Sequence, residues 1–191
     1  MELRCDRAAG GSAASRESPD SALAFEVGGR KALVCYGRPA ARGRTVFGGL
    51  VPFGELWRAG ANEPTVVQLS FDAEVAGLSV RRGKYSLYAV PSREGWTLVL
   101  NRAIRQWGLT RPERGEKGTC FESAYTHLVQ SAEVGRVPVA TETIDHVEEL
   151  TMRAEPVDDG GTDLLLDWET TRVRIPIRLR DSSAEKATLL G

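Results

Sequence analysis

From residue 22 onward the chain alternates apolar and polar positions with a period of two, the pattern of strands that bury one face. In "TRVRIPIRL" the residues Val173, Ile175, Ile177 and Leu179 face one way, and Arg172, Arg174, Pro176 and Arg178 the other. Pro176 on the outward row predicts an edge position, because proline cannot donate to a ladder. Further inward rows are Val67, Leu69 and Phe71 in "TVVQLSF", Trp96, Leu98 and Leu100 in "GWTLVLN", and Leu150, Met152 and Ala154 in "ELTMRAE". "TDLLLDW" is apolar almost throughout, as a more central strand is. Glycine-bearing turns at "VRRGK", "SREGW" and "VDDGGTD" punctuate these runs. Consecutive hairpins imply antiparallel pairing. Short helices are expected at Pro52–Trp57 and Arg102–Trp107, and no long amphipathic stripe is present.

The pattern therefore predicts an all-β fold, an antiparallel β-sandwich or flattened barrel of about nine to ten strands with one or two short helices. Residues 1–20, rich in Gly, Ala and Ser, read as a disordered lead-in. Residues 21–180 form a single domain with a charged, Gly-rich loop insertion near 109–133, and 181–191 are expected to be a frayed tail.

Composition narrows the partners. A net charge of −1 gives no electrostatic reason to expect nucleic acid or an anionic membrane. No apolar run approaches the ~20 residues that a membrane span needs. The first residues lack an apolar signal core, so the chain as it stands reads as cytoplasmic. The cysteines are Cys5, Cys35 and Cys120. Their odd number and the absence of CxxC argue against a disulfide framework and a structural zinc site. Cys35, in the apolar run "KALVCYG", reads as a buried small hydrophobe. Only four of the 25 basic residues are lysine, a drift that lowers the weight of each arginine. Asn62 and Asn101, the only asparagines, stand out for the same reason.

Signatures of hydrolases, nucleotide-binding folds and zinc proteases (GxSxG, GxGxxG, the P-loop, HExxH) are missing. His127 and His146 are the only histidines and are too far apart in sequence for a histidine-rich cluster. No metal and no cofactor is expected. Cys120 with His127 reads as a loop cysteine and a surface histidine rather than a thiol–imidazole pair.

The candidate chemistry lies in "YGRPAARGRTVFGGLVPFGELWRAGANEPT", Tyr36 to Thr65, a connection far longer than compact β domains ordinarily use. In a functional reading Arg58 forks onto a carboxylate or phosphate, Asn62 supplies a paired donor and acceptor, Glu63 accepts or acts as base, and Trp57 forms an apolar wall. In a structural reading Arg58 and Glu63 satisfy each other and the loop carbonyls, while Trp57 fills the core. "NRAIRQWG" adds Asn101 and Trp107, and "DWETTRV" reads as a hairpin with an ion pair across it.

"YGRP", "GRTVFGGLVPFGELWRAGANE", "GKYSLYAVP", "WTLVLN", "QWG", "RVPV" and "DWETTRVRIPI" stand in the order found in the bacterial domain-of-unknown-function family DUF2911, which the chain resembles from Ala32 to Ile177. The resemblance implies a compact β-rich domain, often exported and sometimes fused to tetratricopeptide repeats, and brings no reaction, cofactor or substrate. The positions that match its motifs are Arg38, Trp57, Arg58, Asn62, Glu63, Asn101, Trp107, Trp168 and Arg172. The missing signal core and a longer insertion after "QWG" depart from the family pattern. If the true start differs, the resemblance leaves room for export. The leading expectation is a noncatalytic domain with a polar pocket for a sugar-like or anionic small molecule. That pocket would be lined by the Gly54–Thr65 loop and the ends of the Asn101 and Trp168 strands, with Arg38, Trp57, Arg58, Asn62, Glu63, Asn101 and Trp107 as its candidate binding residues. The alternatives are a hydrolase or lyase using Glu63 and Arg58, and a structural or interaction module built on a buried polar network.

Overall fold

The computed structural model describes residues 2–5, 17–104 and 130–180. Trp107, Cys120, His127, the turn expected to run to Trp107, most of the 109–133 insertion and the 181–191 tail lie outside the described residues.

Nine strands alternate as the periodicity requires. They are β1 (Asp20–Val27), β2 (Arg30–Gly37), β3 (Thr65–Leu69), β4 (Ala73–Val75), β5 (Leu78–Val80), β6 (Gly83–Val90), β7 (Trp96–Asn101), β8 (Glu133–Pro156) and β9 (Thr162–Leu179). They form one antiparallel sheet in the order β1-β2-β3-β6-β7-β8-β9-β4-β5, and its two edges do not join into a barrel. Among the described residues one 3-10 turn, Gln130–Ala132, precedes β8.

Long β8 folds this sheet over. Up to Val139 it pairs with β7, and from Ala140 it pairs with β9. The inward rows of the two halves then meet in one core. Val34, Val67, Leu87 and Leu98 come from one half, and Leu150, Leu164, Leu166, Trp168 and Ile175 from the other. Bonds across the fold fix the two halves: Met152 N donates to the Tyr36 hydroxyl at 3.1 Å and Thr162 Oγ1 to the Glu26 carbonyl at 2.6 Å.

The structure departs from the sequence reading at several points. Leu179 ends its apolar row but is 44% exposed, because β9 runs out past the core there. Pro176 lies inside the sheet, where the β4 ladder ends; its carbonyl accepts from Ala76 N at 2.7 Å, so its missing N–H forfeits only a terminal bond. Pro52–Trp57 makes turns rather than a helix, since Trp57 is drawn into the sheet opposite Ala89. Cys35 is buried as expected, yet it is bonded to Cys5, with Cα atoms 5.8 Å apart. Spacing rules read local frameworks and zinc knuckles, and they are blind to two cysteines that the sheet brings together. The bond seats residues 2–5 against the sheet, where the Gln68 amide accepts from Arg4 N at 3.3 Å and donates to Arg4 O at 2.7 Å.

Because the Cys5–Cys35 bond closes a 30-residue separation, chain entropy alone makes it worth about 3.6 kcal/mol. Cys5→Ser is expected to lower the denaturant-derived unfolding free energy by about that amount, and reductant should do the same to the wild type but not to the variant.

Candidate functional site

The Gly54–Thr65 loop is an interruption of a strand. Trp57 pairs with Ala89 on the edge of β6 through two hydrogen bonds of 2.7 Å, and Thr65 pairs with Leu87 on the same edge. Eight residues (57 to 65) thus answer two on β6 (89 to 87), so six are surplus and bow out. The bow is closed by Thr65 N on the Arg58 carbonyl at 3.2 Å, Thr65 Oγ1 on Ala59 O at 2.8 Å and Trp57 Nε1 on Gly60 O at 3.1 Å. Asn62 takes a left-handed φ of 63°, which asparagine tolerates better than most residues, and its amide donates to Ser18 O at 2.9 Å. Gly37 at the end of β2 lets the bow approach, since a Cβ there would collide with the Ala61 carbonyl oxygen.

Trp57 lies in the core, stacked on Trp168 at 5.8 Å and 25°, with Phe47 edge-on to Trp57, Trp96 and Trp168. Glu63 is only 3% exposed. Arg58 turns to the opposite face of the sheet from Trp57, beside Tyr88. Burial pushes the Tyr88 phenol up to about 12, against the opposing pull of the Ser86 hydrogen bond and the Arg58 charge. Asn101 sits on this same outer face, opposite Ser86 in the register. Its side-chain oxygen accepts from Ala103 N at 2.7 Å, and Ser86 Oγ donates to Ala103 O at 2.8 Å. The structure therefore brings Arg58 and Asn101 to one buried polar face with Ser86 and Tyr88, which the sequence reading did not single out. Trp57 and Arg38 go elsewhere.

Arg38 reaches β8. It donates from Nε to Leu150 O at 3.2 Å and pairs through Nη2 with Glu149 at 3.0 Å. Ala41 N donates to Glu148 O and Leu150 N to Pro39 O, at 2.8 and 3.0 Å. The segment so gripped is a second strand interruption. Between Thr143↔Thr171 and Thr151↔Asp167, β8 advances eight residues and β9 four, so β8 carries four surplus residues, two on each side of the Val147↔Glu169 pair, and arches there. Glu169 opposite the arch has a φ of 54°. The expected "DWETTRV" hairpin is instead this kink within β9, and the Asp167–Arg172 ion pair forms along one strand.

A cleft of about 710 Å³ opens beside the arch, lined by Thr143, Ile144, Val147, Arg153, Asp167 and Arg172 among others. At its base the nearly buried Asp167 carboxylate takes a fork from Arg172, Nε at 2.7 Å and Nη2 at 3.0 Å, and a third bond from Arg153 Nη2 at 2.7 Å. Burial disfavours the Asp167 charge, but the Arg172 and Arg153 hydrogen bonds outweigh it and hold the carboxyl below its ordinary value. The sequence signal for the arch was the run "TETIDHVEEL", where alternation fails between two stretches that keep it.

The description Protein of unknown function (DUF2911) matches residues 18–177. The chain belongs to this family. No curated protein and no solved structure matches it. The DUF2911 span includes both strand interruptions and all of the cleft. Among the described residues no three His, Cys, Asp or Glu side chains cluster as metal ligands, and no helix is long and apolar enough to cross a membrane.

Asp167 gives the DUF2911 domain an acid-sensitive joint. A carboxyl whose folded pKa lies below its unfolded value, about 3.9, contributes stability above that value and loses it as pH falls through the folded pKa. Unfolding free energy measured from pH 6 down to about 2 should decline below about pH 4. In Asp167→Asn that part of the decline should be absent, with the variant already less stable at pH 6.

Proposed function

We propose that this domain is a noncatalytic binding module whose ligand, a sugar-like polyhydroxylated small molecule, sits in the cleft beside the β8 arch. The observation that carries the reading is the Arg153–Asp167–Arg172 array at the base of a cleft of about 710 Å³, a volume in the range of small-molecule sites. Arg153 and Arg172 donate, Asp167 and Asp145 accept, and the lining charges balance. Such a surface suits a neutral molecule with alternating hydroxyl donors and acceptors better than an anion. Thr143 and Thr151 add hydroxyls, and Ile144 and Val147 an apolar wall. Asp167 is held ionised, which favours binding over proton transfer.

The Gly54–Thr65 bow supports this site from a distance rather than lining it. The Trp57 indole and the Thr65 hydroxyl and backbone N–H bond within the loop, while the neighbouring Arg38–Ala41 stretch grips the arch. The low exposure of Glu63 weighs against the hydrolase or lyase reading, because a general base must reach its substrate. The Cys5–Cys35 bond favours an oxidising compartment over the cytoplasm. Alkylation of the protein from its native cells without reductant should leave both cysteines unmodified, and modification of both would overturn that placement.

Calorimetry with a panel of neutral mono- and disaccharides and the corresponding sugar acids tests the ligand. A neutral member should bind to the wild type, and Arg153→Gln should weaken it by about tenfold, since one charged hydrogen bond is worth about 1.5 kcal/mol. Arg153 is half-exposed but bonds the nearly buried Asp167, so the variant should lose some stability, and affinities are compared at a temperature well below both unfolding midpoints. If only sugar acids bind, or Arg153→Gln leaves affinity unchanged, the assignment falls.

A further inference from the structure

A second groove, of about 560 Å³, lies at the end of the fold where β9 finishes, and its lining includes Arg30, Arg81, Arg82, Arg180, Asp72 and Leu179. Arg180 is eight residues beyond Arg172 along the chain, roughly 26 Å at ~3.3 Å per residue, so the two openings are separate. The walls come from the start of β2, the segment after β3, the β5–β6 turn and the end of β9.

The arginines here differ from those elsewhere on β8 and β9. Arg153, Arg172, Arg174 and Arg178 all end on carboxylates. Among the described residues, the guanidinium groups of Arg30, Arg81 and Arg82 make no ion pair. The one carboxylate in the lining, Asp72, offsets one of the four positive charges but makes no ion pair with these three guanidiniums. Its Oδ1 accepts from the Arg82 backbone N–H at 2.7 Å, and its carbonyl accepts from Arg180 N at 3.0 Å. The Tyr85 hydroxyl donates to the Arg81 carbonyl at 2.7 Å. The backbone is thus tied down while the charged ends are left available. Four arginines against one carboxylate leave an excess of like charge that costs stability, and fixed backbones lower the entropy that a ligand must overcome.

We propose that this groove binds a phosphate-type oxyanion. Several guanidiniums around one groove match a group with at least three acceptor oxygens and more than one charge, which a lone carboxylate does not offer. Leu179, 44% exposed at the rim, gives an apolar neighbour for whatever carries the phosphate.

The test is calorimetry with inorganic pyrophosphate at low salt, alongside co-sedimentation with phosphatidylglycerol and phosphatidylcholine vesicles. The proteins are wild type, Arg30→Gln, the Arg81→Gln/Arg82→Gln double variant, and Arg136→Gln as a control on an exposed pair outside the groove. Pyrophosphate should bind to the wild type and the control alike, at least about tenfold more weakly to the double variant, and more weakly to Arg30→Gln. Binding should also fall as salt is raised. Should the double variant fail to fold, Arg30→Gln carries the comparison. Soluble pyrophosphate binding identifies a free phosphate compound as the source. Groove-dependent binding to phosphatidylglycerol vesicles alone identifies a lipid headgroup. No binding to either, or binding that the groove variants leave unchanged, overturns the proposal.

Discussion

Strand β8 serves two partners in succession, and the rest of the structure depends on that change of partner. Leaving β7 after Val139 and meeting β9 at Ala140, it turns a flat ribbon of strands into two facing layers. Only then do the inward rows have something to be buried against. Trp57 and Trp96 from one layer and Trp168 from the other close the core around Phe47. The same strand carries the four surplus residues of the arch, so the element that makes the fold also opens the cleft.

Both regions of chemical interest are strand interruptions. Surplus residues in a ladder have backbone groups that the ladder cannot satisfy, and a buried orphan costs about 1–3 kcal/mol. The six extra residues before β3 meet this need largely within the loop, through Trp57 and Thr65, while Asn62 ties the loop to the Ser18 carbonyl. The arch meets it through its neighbour, the Arg38–Ala41 stretch. One interruption therefore closes on itself and the other stays open along one side. That contrast, rather than the richness of polar residues, separates a support from a site.

Charge is distributed on the same logic. Along β9, arginines alternate with the core row and are neutralised by Asp163, Asp167, Glu142 and Asp159. At the end of β9 the groove lining gathers four arginines, Arg30, Arg81, Arg82 and Arg180, against the single carboxylate of Asp72. A formal net charge of −1 averages over these regions and conceals the local excess.

The alternation of apolar and polar positions by itself determined the all-β class, the antiparallel hairpins and most inward rows, because a strand's period of two is a local property of the backbone. The motif stretches singled out Trp57 and Trp168, and the rarity of asparagine marked Asn62, whose left-handed backbone is also a local matter. What the sequence could not determine was which strand edges meet. Gly54–Thr65 looked like a site because acids, an arginine and an asparagine lie close in sequence, whereas the fold directs Trp57 inward and Arg58 outward. The Cys5–Cys35 bond, the grip of Arg38 on the arch, the joining of Arg153 to Asp167 and the gathering of Arg30 with Arg81 and Arg82 all link residues far apart along the chain or across a bulge. Only the tertiary structure decided them, because register and bulge position are set by packing the two layers together and not by any one segment.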